Sequence, residues 1–165
     1  MTVSSVLFSS KDQTWATPQD FFDQVNKIFK FDFDVCASEK NKKCAVYFDE
    51  KTDALKQDWR GTAWCNPPYN QNKDFIKKAL DSAEQCLTVM LIPNRTGAKY
   101  FHEAFGKSLL SVHLIRGRLK FDDGKSAAPF ASMLLVFGKN TPQNIEKICY
   151  LDALHPGFVR FKGKI

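Results

Sequence analysis

Apolar residues recur along the chain with two different periods, and the changes of period mark its elements. Thr17-Pro18-Gln19-Asp20 combines a Thr cap, a Pro at the first helical position and an acidic third residue. Behind it Phe21, Val25, Ile28 and Phe29 fall at i, i+4, i+7 and i+8, which predicts a helix with one buried face. Phe31-Asp32-Phe33-Asp34-Val35 alternates apolar with acidic residues, the period of a strand. Residues 45–48 predict a second short strand and residues 62–65 a buried one. A helix over residues 73–85 would turn Phe75, Ala79, Leu80 and Ala83 inward. The unbroken apolar run over 87–92, ended by Pro93, is the pattern of a strand covered on both faces. A helix over 98–106 follows, then strands over 110–121 and 131–137 separated by a turn at Asp123-Gly124.

Strands and helices alternate and the order closes with a β-rich pair. That order predicts an α/β fold whose sheet is mostly parallel, with an antiparallel C-terminal edge. No internal repeat, low-complexity block or linker interrupts the 165 residues. One domain over 1–165 is expected, with its core at about 11–140 and no separate target-recognition domain.

Composition narrows the class. Hydrophobic residues make up 44% of the chain and include fifteen Phe, enough for a packed core and too many for a disordered segment. The net charge of +6 favours a polyanionic partner, although charge alone does not separate DNA from RNA. Cys36, Cys44, Cys65, Cys86 and Cys149 are odd in number and scattered, with no Cys-x-x-Cys pair, which predicts reduced thiols and a cytoplasmic protein. His102, His113 and His155 form no metal-ligand spacing with them, so no metal is expected. No run approaches the roughly 20 apolar residues of a membrane span, and the first residues lack the pattern of a signal peptide.

The chemistry concentrates in Asn66-Pro67-Pro68-Tyr69, just beyond the buried strand at 62–65. In open α/β sheets ligands bind at the carboxyl ends of strands. Pro68 has a fixed φ and drives Pro67 into an extended conformation, so the loop is stiff. Such a loop holds the Asn66 side-chain oxygen and a backbone carbonyl as two convergent acceptors. Accepting both hydrogens of an exocyclic amine favours a pyramidal nitrogen whose lone pair can attack a methyl sulfonium, without a strong base. Tyr69 offers a face on which a base extruded from a duplex can stack. The structural alternative is a rigid turn with a buried Tyr.

Further on, Arg116, Arg118 and Lys120 alternate with Ile115, Gly117, Leu119 and Phe121, which on one strand puts all three cations on one face. Such a stripe neutralises phosphates; alternatively it is a solvated strand whose charges discourage edge pairing. Arg95 follows the apolar strand near the same end and is a candidate contact to the same partner. Arg160, Lys162 and Lys164 add a basic tail.

Several of these motifs together resemble the phage-type DNA N-6-adenine-methyltransferase (Dam) family over roughly residues 11–137. They are Trp15-x-Thr17-Pro18, Asp34-Val35-Cys36-Ala37-Ser38, Asp58-Trp59, Asn66-Pro67-Pro68-Tyr69, Leu91-Ile92-Pro93 and Gly117-Arg118-Leu119-Lys120-Phe121. The resemblance implies a Rossmann-like S-adenosylmethionine-dependent methyltransferase fold, S-adenosylmethionine as cofactor, and transfer to the N6 amine of adenine in double-stranded DNA. It places Asn66, Pro67, Pro68 and Tyr69 in the catalytic loop and Trp15, Thr17 and Pro18 at the methionine end of the cofactor. It also implies cofactor contacts from Asp34, Cys36, Ala37 and Ser38, and a bond from Asp58 to the cofactor adenine. Asp49, Glu50 and Asp53 are alternatives for the ribose hydroxyls. Asn-Pro-Pro-Tyr loops also serve enzymes acting on RNA bases or protein glutamine, and a catalytically inactive DNA-binding homologue is a further alternative. One departure stands out: residues 34–38 contain no Gly, and too few residues follow for a full crossover helix.

Overall fold

The computed structural model of the chain describes residues 15–104, 108–121, 126–139 and 148–152. The first helix, α1 (Gln19–Phe29), buries Phe21, Phe22, Val25 and Phe29. Its face is rotated from the expected one: Phe22 is inside, whereas Ile28 is 44% exposed. The cap also differs. Pro18 occupies the cap position with no side-chain cap bond, because the Thr17 hydroxyl is engaged elsewhere.

The next strand is shorter than the alternation predicts. Only β1 (Phe33–Asp34) pairs, and both residues are buried, so Asp34 is not on a solvated face. Strand β2 (Val46–Tyr47) lies parallel to it. No helix occupies residues 35–45; a turn at Ser38, which accepts the N–H groups of Asn41 and Lys42, makes the crossing instead. Strand β3 (Gly61–Cys65) pairs parallel on the other side of β1. Its start is fixed by Asp32, whose carboxylate accepts the Thr62 N–H at 2.8 Å. Gly61 sits there at φ +94°, and a Cβ on it would lie 2.5 Å from the same carboxylate.

After the loop come α2 (Asn72–Ser82), β4 (Cys86–Pro93) and α3 (Lys99–Ala104), the last shorter than the expected 98–106. The long strand expected over 110–121 is two strands, β5 (Leu109–Arg116) and β6 (Lys120–Phe121). Gly117, at φ +85°, breaks them apart. Strand β6 pairs antiparallel with β7 (Ser126–Ala127); the turn expected at Asp123-Gly124 lies outside the described residues. Strands β8 (Ser132–Phe137) and β9 (Ile148–Asp152) complete the main sheet, and β9 had no counterpart in the sequence pattern. The basic tail at Arg160, Lys162 and Lys164 also lies outside the described residues.

Seven strands form that sheet in the order β2-β1-β3-β4-β8-β5-β9. Only β8 runs against its neighbours, inserted between β4 and β5. The mostly parallel sheet with an antiparallel C-terminal strand is the arrangement expected of a Rossmann-like methyltransferase, with the antiparallel strand inside the sheet rather than outermost. Both faces are covered, which is why β4 and β8 are apolar apart from the buried hydroxyls of Thr88 and Ser132. Trp64, Val89, Leu91, Leu134 and Val136 pack against α1. Cys65, Met90, Ile92, Met133 and Leu135 pack on the opposite face with Phe75, Ile76, Ala79 and Phe101 of α2 and α3. The carboxyl ends of β1, β3 and β4 therefore open on one edge, between the two helical layers. No helix among the described residues is long and apolar enough to cross a membrane.

Candidate active site

A cavity of about 700 Å³ opens at the carboxyl ends of β1 and β3. That is within the usual range for a small-molecule site. Trp15 and Thr17 line it from the segment before α1, and Asp34, Cys36, Ala37 and Ser38 line it from the β1–β2 crossing. Asn66 and Pro68 reach it from the loop after β3. Pro67 is buried and Tyr69 half-buried beside the cavity, and Pro18 is half-buried behind Thr17.

Asn66 is the most constrained polar side chain here. Its Nδ2 donates to the Trp15 carbonyl at 2.6 Å and to the Thr17 hydroxyl at 3.0 Å. A backbone carbonyl can only accept, so the amide nitrogen has to face Trp15 and the oxygen is turned the other way. That oxygen, Oδ1, is buried and has no hydrogen-bond partner among the described residues. A buried acceptor without a donor costs about 1–3 kcal/mol, and such a cost is retained where a ligand supplies the donor.

Asp34 is the second unusual group. Its Oδ1 accepts the Cys36 N–H and its Oδ2 the Lys43 N–H, both at 3.1 Å. Burial pushes its carboxyl up to about 6, and the two N–H bonds and the Lys43 charge only partly counter this. A carboxylate in this setting is a fixed, poorly solvated negative charge suited to a cationic ligand. Nearby, the Cys36 and Cys65 sulfurs lie 3.8 Å apart, and burial pushes both thiols up, so they stay protonated.

The three acids left open by the sequence all line the cavity. Asp49 accepts the Thr52 N–H and hydroxyl at 2.9 and 2.6 Å, and Asp53 pairs with Lys56 at 2.8 Å. Glu50 has no bond or ion pair among the described residues. Asp58 stands apart from the cavity. Its carboxylate is exposed and takes Arg60 at 2.6 Å and Gln85 at 3.1 Å, so the structure does not bring it into the cavity wall with the other acids.

The family model described as DNA N-6-adenine-methyltransferase (Dam) matches residues 4–155. The chain belongs to this family. Among its relatives is the DNA N-6-adenine-methyltransferase of Escherichia phage T1, 34% identical over 94 residues, which are 54% of this chain and 40% of that protein. A second is YfdM of Escherichia coli (strain K12), provisionally named a methyltransferase; it is 36% identical over 63 residues, 33% of this chain and 69% of that protein. The chain thus spans about two fifths of the length of the phage relative it matches.

Arg95, Arg116, Arg118 and Lys120 lie outside the cavity lining. Arg116, Arg118 and Lys120 are all exposed, but the break at Gly117 divides them between the end of β5, the connecting turn and β6. They are therefore not one face of one strand. Arg95 is exposed just past the end of β4.

Two features of this Dam family member escaped the sequence pattern. One is the Trp15 carbonyl, a backbone group that no residue type announces. The other is Phe130, whose ring meets Tyr69 edge-on with centroids 5.1 Å apart and Trp15 at 6.3 Å. Trp15 in turn meets Phe121 at 5.7 Å. Phe130 is one of fifteen Phe residues, and only the pairing around it brings it to the loop after β3.

Proposed function

We propose that this chain transfers a methyl group from S-adenosylmethionine to the N6 amine of adenine in double-stranded DNA. The observation that carries the reading is Asn66 Oδ1, a buried acceptor without a donor, fixed in direction by Trp15 and Thr17 at the rim of the cavity. Family membership and the phage relative's name favour adenine in DNA over the other amines.

The cavity suits the cofactor. S-adenosylmethionine supplies an electrophilic methyl group when bound. Asp34 would hold its cationic end, and Ala37 and Ser38, which also line the cavity, are small enough for close approach in place of the missing glycines. Glu50 is the acid best suited to the ribose hydroxyls, since Asp49 and Asp53 are already committed. The free cysteines among the described residues fit the reducing cytoplasm in which such an enzyme would work.

On the acceptor side, Asn66 Oδ1 accepts one amine hydrogen and the Pro67 carbonyl the other. With both hydrogens held, the nitrogen lone pair is withdrawn from the ring and directed outward. The gain is positional and electrostatic, and the excess proton leaves the nitrogen to water. Tyr69 stacks on the extruded base, and Phe130 closes the side of that stack. Arg95, Arg116, Arg118 and Lys120 hold DNA phosphates around the mouth.

The test is transfer of labelled methyl from S-adenosylmethionine to unmethylated duplex DNA, with Asn66→Ala as control. Label recovered as N6-methyladenine, falling at least a hundredfold in the variant while cofactor affinity is kept, supports the reading. Label on RNA or protein alone would refute the substrate, and equal activity in the variant would refute the role of Asn66.

A further inference from the structure

Ser132, the first residue of β8, is 1% exposed, and its hydroxyl has no hydrogen-bond partner among the described residues. It shares a sheet face with Asn66. Leu134 and Val136 point to the α1 layer, and Ser132 keeps their parity. Trp64 points to that layer too, and Asn66, two residues on, bonds Trp15 and Thr17 there. Ser132 is directly opposite Pro93 on β4, and β4 pairs with β3. By this register Asn66 follows at the level of Leu91 and Ser132 lies at Pro93, so their backbones stand two strands and two residues apart, about 12 Å at the usual spacings. The two side chains together with a hydrogen-bonded adenine span a gap of that size.

The aromatic contacts converge on the same place. Phe130 is two residues before Ser132 and sets its ring edge on Tyr69, three residues after Asn66. The segment is pinned to the end of β4, since the Ala131 carbonyl accepts the Asn94 N–H at 2.8 Å. Two buried orphan oxygens thus flank one aromatic contact.

We propose that Ser132 is a specificity-determining residue that donates its hydroxyl hydrogen to a ring nitrogen of the target adenine while Asn66 holds the amine. The assignment rests on the reading of Asn66 above. Asn66 addresses only the amine, which cytosine also carries, and adenine N1 is matched by cytosine N3, whereas a donor to N7 or N3 of the purine identifies the base. Both oxygens are shut from solvent, so the entering base has to part the Phe130–Tyr69 contact that adjoins them.

The experiment measures kcat/KM of the wild type, Ser132→Ala and Ser132→Thr on duplexes carrying adenine, 1-deazaadenine, 3-deazaadenine or 7-deazaadenine at the target. Ser132→Ala should lose about tenfold on adenine and nothing on the one analogue that lacks the contacted nitrogen. Ser132→Thr should recover most of the loss. Thermal unfolding of Ser132→Ala without DNA should be unchanged or higher, because an unpaired buried hydroxyl is removed. A lower unfolding temperature with the same loss on all four duplexes would mean a structural role and overturn the proposal. Wild-type rates in Ser132→Ala would overturn it and leave the proposed function standing. A wild type inactive on adenine duplexes would instead defeat the proposed function itself, and this assignment with it.

Discussion

The Thr17 hydroxyl lies 3.0 Å from Asn66 Nδ2 and ties together residues forty-nine positions apart. The sequence pattern reads Thr17 as a helix cap, yet its side chain aims an amide in another element. With the Trp15 carbonyl on the same nitrogen, it decides which way the Asn66 oxygen faces.

Replacing Thr17 with Val should therefore lower kcat by about five- to tenfold, the worth of one net hydrogen bond, while Thr17→Ser restores it. Steady-state methyl transfer checks this. A Val variant as fast as wild type would mean that Trp15 alone orients the amide.

Asp34 gives the site a pH dependence. Its folded pKa of about 6 lies above the ordinary value of 3.8, so the folded protein holds a proton that the unfolded chain has lost between about pH 4 and 6. The resulting stability is fully present below about pH 4 and is lost as pH rises through 6, on the order of 3 kcal/mol. Affinity for the cationic cofactor should run the other way, tightening as pH rises through about 6. Calorimetric titration across pH 5–8 tests it, and Asp34→Asn should flatten the curve. A profile unchanged in that variant would remove Asp34 from the cofactor site.

Trp59 has no exposed surface and its Nε1–H donates to the Ala54 carbonyl at 2.9 Å. The turn Ala54–Lys56 supplies Ala54 and Leu55 to the cavity wall. Trp59→Phe leaves that carbonyl unpaired beside a void and should cost about 2–4 kcal/mol in urea unfolding, with weaker cofactor binding. Full stability with weakened binding would contradict this order of cause.

Neutralising Arg116, Arg118 and Lys120 together should weaken DNA binding and reduce the slope of log K against log salt by up to about 3, roughly 0.9 for each phosphate that is no longer neutralised. Because Gly117 splits the group, single substitutions should contribute unequally. An unchanged slope would take all three off the interface.

Much of the frame was legible because it depends on local pattern. The continuous apolar run at 87–92 has one structural solution, a strand covered on both faces, and β4 is that strand. Asn66-Pro67-Pro68-Tyr69 after a buried strand marks a stiff loop at the sheet's carboxyl edge, where it is found. The absence of Gly and of room for a helix after Asp34 anticipated the abbreviated β1–β2 crossing. The differences are equally specific. Arg116 to Phe121 alternates like one strand, but Gly117 adopts a positive φ that alternation does not report. Asp58 precedes Trp59 as the family pattern asks, yet Arg60 and Gln85 hold its carboxylate in solvent.

By itself, then, the sequence determined most of the elements, their mostly parallel order and the residue types of the Asn66–Tyr69 loop, since periodicity, proline stiffness and burial act over a few neighbouring residues. The tertiary structure alone decided which way Asn66 faces, which acids reach the cavity, and that Phe130 stands beside the loop. Those facts depend on backbone carbonyls, strand order and contacts between distant segments, none of which a residue type encodes where it stands in the chain.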